Sequence, residues 1–148
     1  MKVLVQDAGF DLGAQSDAFA AGVCGAGAIV TFTGVVRDAD AGGLVAMEIE
    51  HYPAMTQKAL EAIATEAMTR WSLADALVIH RYGRLVPGER IMMVATAARH
   101  RKDAFEAAEY LMDYLKSRAP FWKKEILTNG AADWVAAKTE DEDALSRW

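Results

Sequence analysis

Four stretches of this 148-residue chain combine residue types that do chemistry. The sharpest is Lys116-Ser117-Arg118-Ala119-Pro120-Phe121-Trp122-Lys123-Lys124-Glu125. Its proline forces a fixed change of direction, because proline cannot continue a helix and restricts the residue before it. Lys116 on one side and Lys123 on the other can therefore approach one pocket. Lysines beside other cations have lowered pKa values and serve as proton donors, acceptors or nucleophiles. The plainer reading is a lysine favouring the dipole at a helix C-terminus, followed by an exposed charged strand. The second stretch, His100-Arg101, precedes a helical run. Free N–H groups and a partial positive charge at a helix start, joined by these side chains, make an oxyanion or phosphate site. The competing reading is a polar connection in which His100 caps locally.

Gly34-Val35-Val36-Arg37-Asp38 puts an arginine at the end of an apolar strand, where a rigid base can hold it toward a pocket. A surface pair with Asp38 is the alternative. His80-Arg81-Tyr82-Gly83-Arg84-Leu85-Val86-Pro87-Gly88-Glu89 looks catalytic at a glance. Its period suits a strand running into a glycine turn, which favours a structural or interface role. His51 and His80 are isolated and lack metal-ligand spacing. Cys24 has no nearby His or Lys and reads as a small buried core thiol. As the single cysteine, it excludes an internal disulfide and any multi-cysteine metal site. There is no phosphate-binding glycine loop, nucleophile-elbow serine or paired-carboxylate signature. No metal or cofactor is expected.

The elements that must position these residues follow from periodicity. Lys2 to Gln6 reads as a short strand, and Ser16 as the cap of a short helix toward Cys24. Ala28 to Val36 is rich in Ile, Val, Thr and Phe and predicts a strand. Asp38 to Gly43 is a polar loop. Leu44 to Tyr52 alternates as a strand with one wet face. Met55 to Trp71 has helical spacing. Leu77 to Tyr82 and Ile91 to Ala97 predict a hairpin across a Gly83–Glu89 turn. Lys102 to Arg118 is the best helix, with Phe105, Ala108, Leu111, Met112 and Leu115 as its apolar stripe. Pro120 ends it. Phe121 to Leu127 alternates as a strand, and Trp134-Val135 is a candidate last strand. The acidic tail Glu140–Asp143 is expected to be solvated. Strands, hairpins and three helices without strict βαβ alternation predict an α+β fold.

Length and composition agree. A chain of this size, 53% hydrophobic and 25% charged, points to one globular domain over residues 1–148. The start reaches an acid at Asp7, too soon for a signal peptide. No apolar run approaches the roughly 20 residues of a membrane span. A reducing cytoplasm is the simplest home. The net charge of −5 argues against general nucleic-acid binding. The distribution is uneven: Arg99 to Lys124 carries seven Lys/Arg and four Asp/Glu, while the remainder is strongly acidic. A basic island suggests a local anionic ligand.

Together the four stretches resemble the large, catalytic subunit of molybdopterin synthase. The resemblance rests on Phe32-Thr33-Gly34-Val35-Val36-Arg37, Glu50-His51-Tyr52-Pro53-Ala54-Met55, His80-Arg81-Tyr82-Gly83-Arg84-Leu85, His100-Arg101-Lys102-Asp103-Ala104-Phe105 and Lys116 through Glu125, in that order. It covers nearly the whole chain. Ala97-Ala98-Arg99 departs from it, replacing small hydroxyl residues before the His-Arg pair. The resemblance implies an α/β hammerhead-like fold with an additional antiparallel β-sheet. It also implies a sulfurtransferase reaction. Two sulfurs are added to cyclic pyranopterin monophosphate to make the molybdopterin dithiolene, a step of molybdenum cofactor biosynthesis. The sulfur arrives as a thiocarboxylate on the C-terminal Gly-Gly of a small ubiquitin-like subunit. A homodimer of the large subunit forms the centre of a heterotetramer.

By the same resemblance Val35, Val36, Arg37, His100 and Arg101 bind substrate, with its phosphate as the target of the last two. Lys116 and Lys123 bind substrate and carry catalysis. Lys116 either holds the thiocarboxylate carbonyl or forms a transient acyl link with the glycine tail. Lys123 moves protons. Lys124 and Glu125 flank the site, and alternation puts Glu125 on the face of Lys123, where it would orient the amine. Several fixed cations would offset the repulsion between an anionic donor and a phosphate-bearing acceptor. The alternative is a non-catalytic binding module for an anionic peptide tail or nucleotide.

Overall fold

The computed structural model describes residues 1–148. In chain order its elements are β1 (Lys2–Gln6), α1 (Leu12–Gly22), β2 (Ala28–Val35), β3 (Leu44–His51), α2 (Pro53–Arg70), β4 (Asp75–Arg81), β5 (Gly83–Leu85), β6 (Arg90–Ala98), α3 (Arg101–Ser117), β7 (Phe121–Leu127), β8 (Ala132–Trp134) and α4 (Thr139–Ala144), closed by a 3-10 turn over Leu145–Arg147. The strands form two four-stranded sheets, ordered β1-β4-β6-β2 and β5-β3-β7-β8. Only β1 and β4 run parallel. The α+β expectation with an added antiparallel sheet holds.

The first sheet is covered on both faces, which is why β4 and β6 read as nearly continuous apolar runs. Val78, Met92 and Val94 pack under α2 and α3, against Leu60, Ile63, Leu111 and Leu115. Leu77, Ile79, Met93 and Ala95 pack under Phe19 of α1. Leu60 and Leu111 are wholly buried; burying a side chain of this size contributes about 1.5–3 kcal/mol. The Thr96 hydroxyl donates to the Ala104 carbonyl at 2.7 Å, tying β6 to α3. The second sheet meets the first through Val36, Leu44, Ile49 and Leu85.

The expected β4–β6 pairing is present and antiparallel, with Val78 opposite Val94. Several local expectations are corrected. The cap of α1 is Asp11, whose carboxylate accepts from Ala14 N–H at 2.8 Å; Ser16 lies inside the helix. A carboxylate three residues ahead of a free N–H does what the hydroxyl was assigned. Cys24 is exposed, not core, because α1 ends before it. Gly83–Leu85 is a strand pairing with β3, permitted by a φ of +90° at Gly83. Phe105 is 61% exposed, because the buried stripe of α3 runs through Ala104, Ala107, Leu111 and Leu115 and leaves position 105 on the side turned away. The acidic tail forms α4, held by Arg118 to Glu142 at 2.9 Å. Beyond it Arg147 bonds Glu109 and Asp113, and Trp148 packs on Trp71 and Tyr110.

Candidate active site

The turn at Pro120 determines the site. α3 ends at Ser117, Pro120 redirects the chain, and β7 starts at Phe121 beside β3. The Thr56 hydroxyl of α2 donates to the Pro120 carbonyl at 3.4 Å. Lys116, in the last turn of α3, and Lys123, the third residue of β7, thereby line one cavity of about 630 Å³. Its walls come from the end of β2, from His80 and Met92 of the central strands, from the last turns of α3 and from the start of β7. The segment Trp134–Lys138 and Asp141 complete it. That segment is anchored by Val135 N–H donating to the Lys123 carbonyl at 2.7 Å.

The two amines are electrically coupled. Burial pulls the Lys123 pKa below its ordinary value, the positive charge of Lys116 pulls it further, and Asp141 opposes them. A depressed lysine pKa raises the fraction of free amine near neutral pH, which proton transfer or nucleophilic attack requires. Neutral amines would be poor anion holders, so a site that needs both functions benefits from two lysines in different states.

His80 is the residue that sequence reasoning assigned to structure. It sits on the cavity wall, 4% exposed, with its ring stacked on Phe121 at 3.8 Å between centroids. Its Nδ1 lies 2.8 Å from the Arg81 carbonyl oxygen. A carbonyl only accepts, so Nδ1 donates and Nε2 is left unprotonated. Burial, then the charge of Lys123, push the His80 pKa down to about 3; the Arg81 hydrogen bond opposes them and His51 adds to them. His51 lies against Tyr82 at 4.2 Å, and burial lowers its pKa too. Its Nδ1 and the Ser117 hydroxyl are sealed without partners. Strand alternation in β4 was a usable signal for His80, since it places the ring on the face of Val78, under α2 and α3. Asp141 lay hidden in a run of acids that looks merely solvated.

Of the remaining expected residues, Val35 lines the cavity. Val36 is 2% exposed and belongs to the core between the sheets. Its N–H donates to Glu89 and its carbonyl accepts from Gly88, both at 2.8 Å, so its backbone is engaged as well. Arg37 projects to solvent and pairs with Asp40 at 3.6 Å. Asp38 instead accepts from the backbone of Ala39 and Leu44. Lys124 faces the opposite side of β7, with its Nζ 5.4 Å from the Trp134 ring centroid. Glu125 lies outside the cavity and makes no hydrogen bond or ion pair to Lys123. It stands opposite Met47 and Asp133, two residues farther along β7 than the cavity reaches, so Asp141 is the carboxylate facing that amine.

His100 and Arg101 are exposed at the start of α3. A rise of about 1.5 Å per residue puts them roughly 22 Å from Lys116. Within one chain they do not reach the cavity. No cluster of three His, Cys, Asp or Glu side chains that could hold a metal ion is present. No helix is long and apolar enough to cross a membrane.

The protein family described as MoaE protein matches residues 5–118. The molybdopterin synthase catalytic subunit of Cereibacter sphaeroides is 69% identical over 148 residues, covering the full length of both chains. The molybdopterin biosynthesis MoaE protein of Burkholderia ambifaria superposes with a TM-score of 0.84 at 49% identity, covering 99% of this chain and 97% of that one. Molybdopterin synthase from Staphylococcus aureus superposes with a TM-score of 0.80 at 30% identity, covering 90% and 96%.

Proposed function

The chain belongs to the MoaE protein family, and on that premise we propose that it is the catalytic subunit of a molybdopterin synthase, moving sulfur from a thiocarboxylate on the C-terminal Gly-Gly of a small ubiquitin-like subunit to cyclic pyranopterin monophosphate. The observation that carries this reading is the meeting of Lys116 and Lys123 in one cavity, with the Lys123 amine held below its ordinary pKa. Each transfer forms a carbon–sulfur bond on the pterin as a carbon–oxygen bond there breaks, the oxygen leaving as water or staying on the opened phosphate, and it breaks the sulfur–acyl bond of the donor. The acyl carbon must then pass to water. It does so directly while Lys116 holds its carbonyl oxygen, or through a transient acyl link to Lys116. Lys123, the more desolvated amine, supplies and takes up the protons. A tail without side chains suits a cavity whose wall includes the bulky Phe121, Trp122 and Met112.

With the lysines of one chain's cavity given to the thiocarboxylate, the phosphate is assigned to cations that a second copy supplies. β2 is a free edge of its sheet, with Ile29, Phe32 and Val35 exposed. Unpaired edges invite pairing with another chain. His100 and Arg101 adjoin the start of β2, where Ala28 pairs with Ala98; the cavity adjoins its end, at Gly34 and Val35. Antiparallel pairing of two β2 edges about a twofold axis sets one strand's start beside the other's end. The strand spans about 23 Å at ~3.3 Å per residue, which matches the separation along α3. The second copy's His100 and Arg101 then stand over this copy's cavity, and Arg37, two residues past Val35, joins them at the rim. Val36 acts by fixing the backbone between Val35 and Arg37. Lys124 and Glu125 lie beyond the cavity, where the Lys124 amine packs over Trp134 of β8 and Glu125 faces another carboxylate, Asp133.

The test is reconstitution from the protein, cyclic pyranopterin monophosphate and a thiocarboxylated small subunit, with assay of the dithiolene product. Lys116→Ala and Lys123→Ala should each abolish product while the melting temperature holds. Lys123→Arg separates chemistry from binding, because a guanidinium keeps the charge and cannot give up its proton. Full turnover in Lys123→Arg would refute proton transfer by Lys123, and absence of product from the natural protein in the complete mixture would return it to the class of binding modules.

A further inference from the structure

His80 is a buried side chain on the cavity wall that sulfur transfer through the two lysines leaves without a task. Its ring cannot turn freely, being stacked on Phe121 with 16° between the planes and bonded through Nδ1 to the Arg81 carbonyl. Nε2 has no protein partner. It is not sealed either, since the sealed unpartnered polar atoms are His51 Nδ1 and Ser117 Oγ. The lone pair therefore opens on the cavity. The ring stays neutral there, because burial and the Lys123 charge oppose protonation.

The other polar side chains of the wall do different work. Lys116, Lys123 and Lys138 only donate. Asp141 accepts, but a carboxylate repels an anionic ligand. The Thr33 hydroxyl rotates and serves as either donor or acceptor, and the Ser117 hydroxyl is sealed from any ligand. His80 is thus the uncharged acceptor whose direction is set by the fold. A peptide whose terminal anion rests on the lysines brings one N–H with it, on the nitrogen two bonds from the terminal carbon. A buried N–H left unpaired is unfavourable. The His80 ring lines the same cavity as Lys116 and Lys123 and is available to meet it.

We propose that His80 Nε2 accepts the last peptide N–H of the donor's Gly-Gly tail and thereby seats the thiocarboxylate between Lys116 and Lys123. The inference rests on reading the cavity as the tail's site. Its test is a chemical double cycle in the full-length protein. The small subunit is made by ligation with its last peptide bond either an amide or an ester, both ending in an ordinary carboxylate so that no turnover intervenes. Dissociation constants are read from tryptophan fluorescence for the natural protein, His80→Phe and His80→Gln. Replacing amide by ester should weaken binding to the natural protein about five- to tenfold, the worth of one buried hydrogen bond. In His80→Phe, which keeps the stack on Phe121, the ester should cost less than about twofold. His80→Gln, whose terminal amide oxygen can take the place of Nε2, should restore part of the difference. An equal ester penalty in all three proteins overturns the inference and leaves the tail site standing. Failure of the natural protein to bind the amide tail overturns both. If His80→Phe does not fold, His80→Asn replaces it, retaining a donor for Arg81 without reach into the cavity, and the same ester criterion decides.

Discussion

The neutrality of His80 makes a stability prediction that needs no substrate. Its pKa is about 3 in the folded chain against an ordinary 6.5. Between those values the unfolded chain binds a proton that the folded chain refuses. The His80 contribution to stability is therefore whole above about pH 6.5, declines as pH falls, and is exhausted near pH 3. Within that window the slope approaches about 1.4 kcal/mol per pH unit. From pH 7.5 to pH 5 the loss is about 2 kcal/mol, and it hardly depends on the folded value so long as that lies below about 4. For a chain of this length it lowers the melting temperature by about 4–8 °C. The assay is denaturant or thermal unfolding of the natural protein and His80→Phe at both pH values, with protein concentration fixed because a dimer's stability depends on it. Other groups that titrate in this range, His51 among them, are present in both proteins and cancel. The natural protein should lose about 2 kcal/mol more than the variant on acidification. A difference below about 0.5 kcal/mol would show that the buried ring accepts a proton in place, and the fixed-acceptor reasoning would fail.

Four further outcomes are expected. At pterin concentrations too low for Arg101→Ala to turn over, mixing it with inactive Lys123→Ala should restore about a quarter of full activity, since half of the randomly formed dimers carry one intact site; no recovery would place both groups in one chain. Arg101→Ala alone should raise the KM for the pterin substrate more than it lowers kcat, measured under conditions where substrate binding equilibrates. Amine-reactive labelling followed by peptide mass spectrometry should find Lys123 modified at lower pH than the other lysines; Lys116→Met should move that profile up in pH and Asp141→Asn should move it down, because those charges have opposite effects on the amine. Gly27→Ala should destabilise the fold by about 1–3 kcal/mol, because an added Cβ would come within 2.6 Å of the Arg99 carbonyl oxygen, and backbone does not yield as a flexible side chain does.

Residue order and type were enough to find the elements and the chemical character of the site. Periodicity located α2, α3 and most strands, because burial on one face writes itself into residue spacing. The lysines across Pro120 were legible for a related reason: proline constrains the backbone locally and turns the chain between the helix that carries one amine and the strand that carries the other. Short-range judgements failed where two neighbours competed for one role, as Asp11 and Ser16 did for the cap of α1. Membership of the cavity, by contrast, came from long-range packing. His80 entered because the sheets meet there and Phe121 closes over its ring, a contact between residues forty-one positions apart. Asp141 entered because the tail folds back on α3, clamped by Arg118, Arg147 and Trp148. Arg37, His100, Arg101 and Lys124 have the right charge yet stand outside one chain's cavity. Charge is a property of composition, whereas the distance between charges is a property of the packed chain and, for the pair at the start of α3, of two chains together.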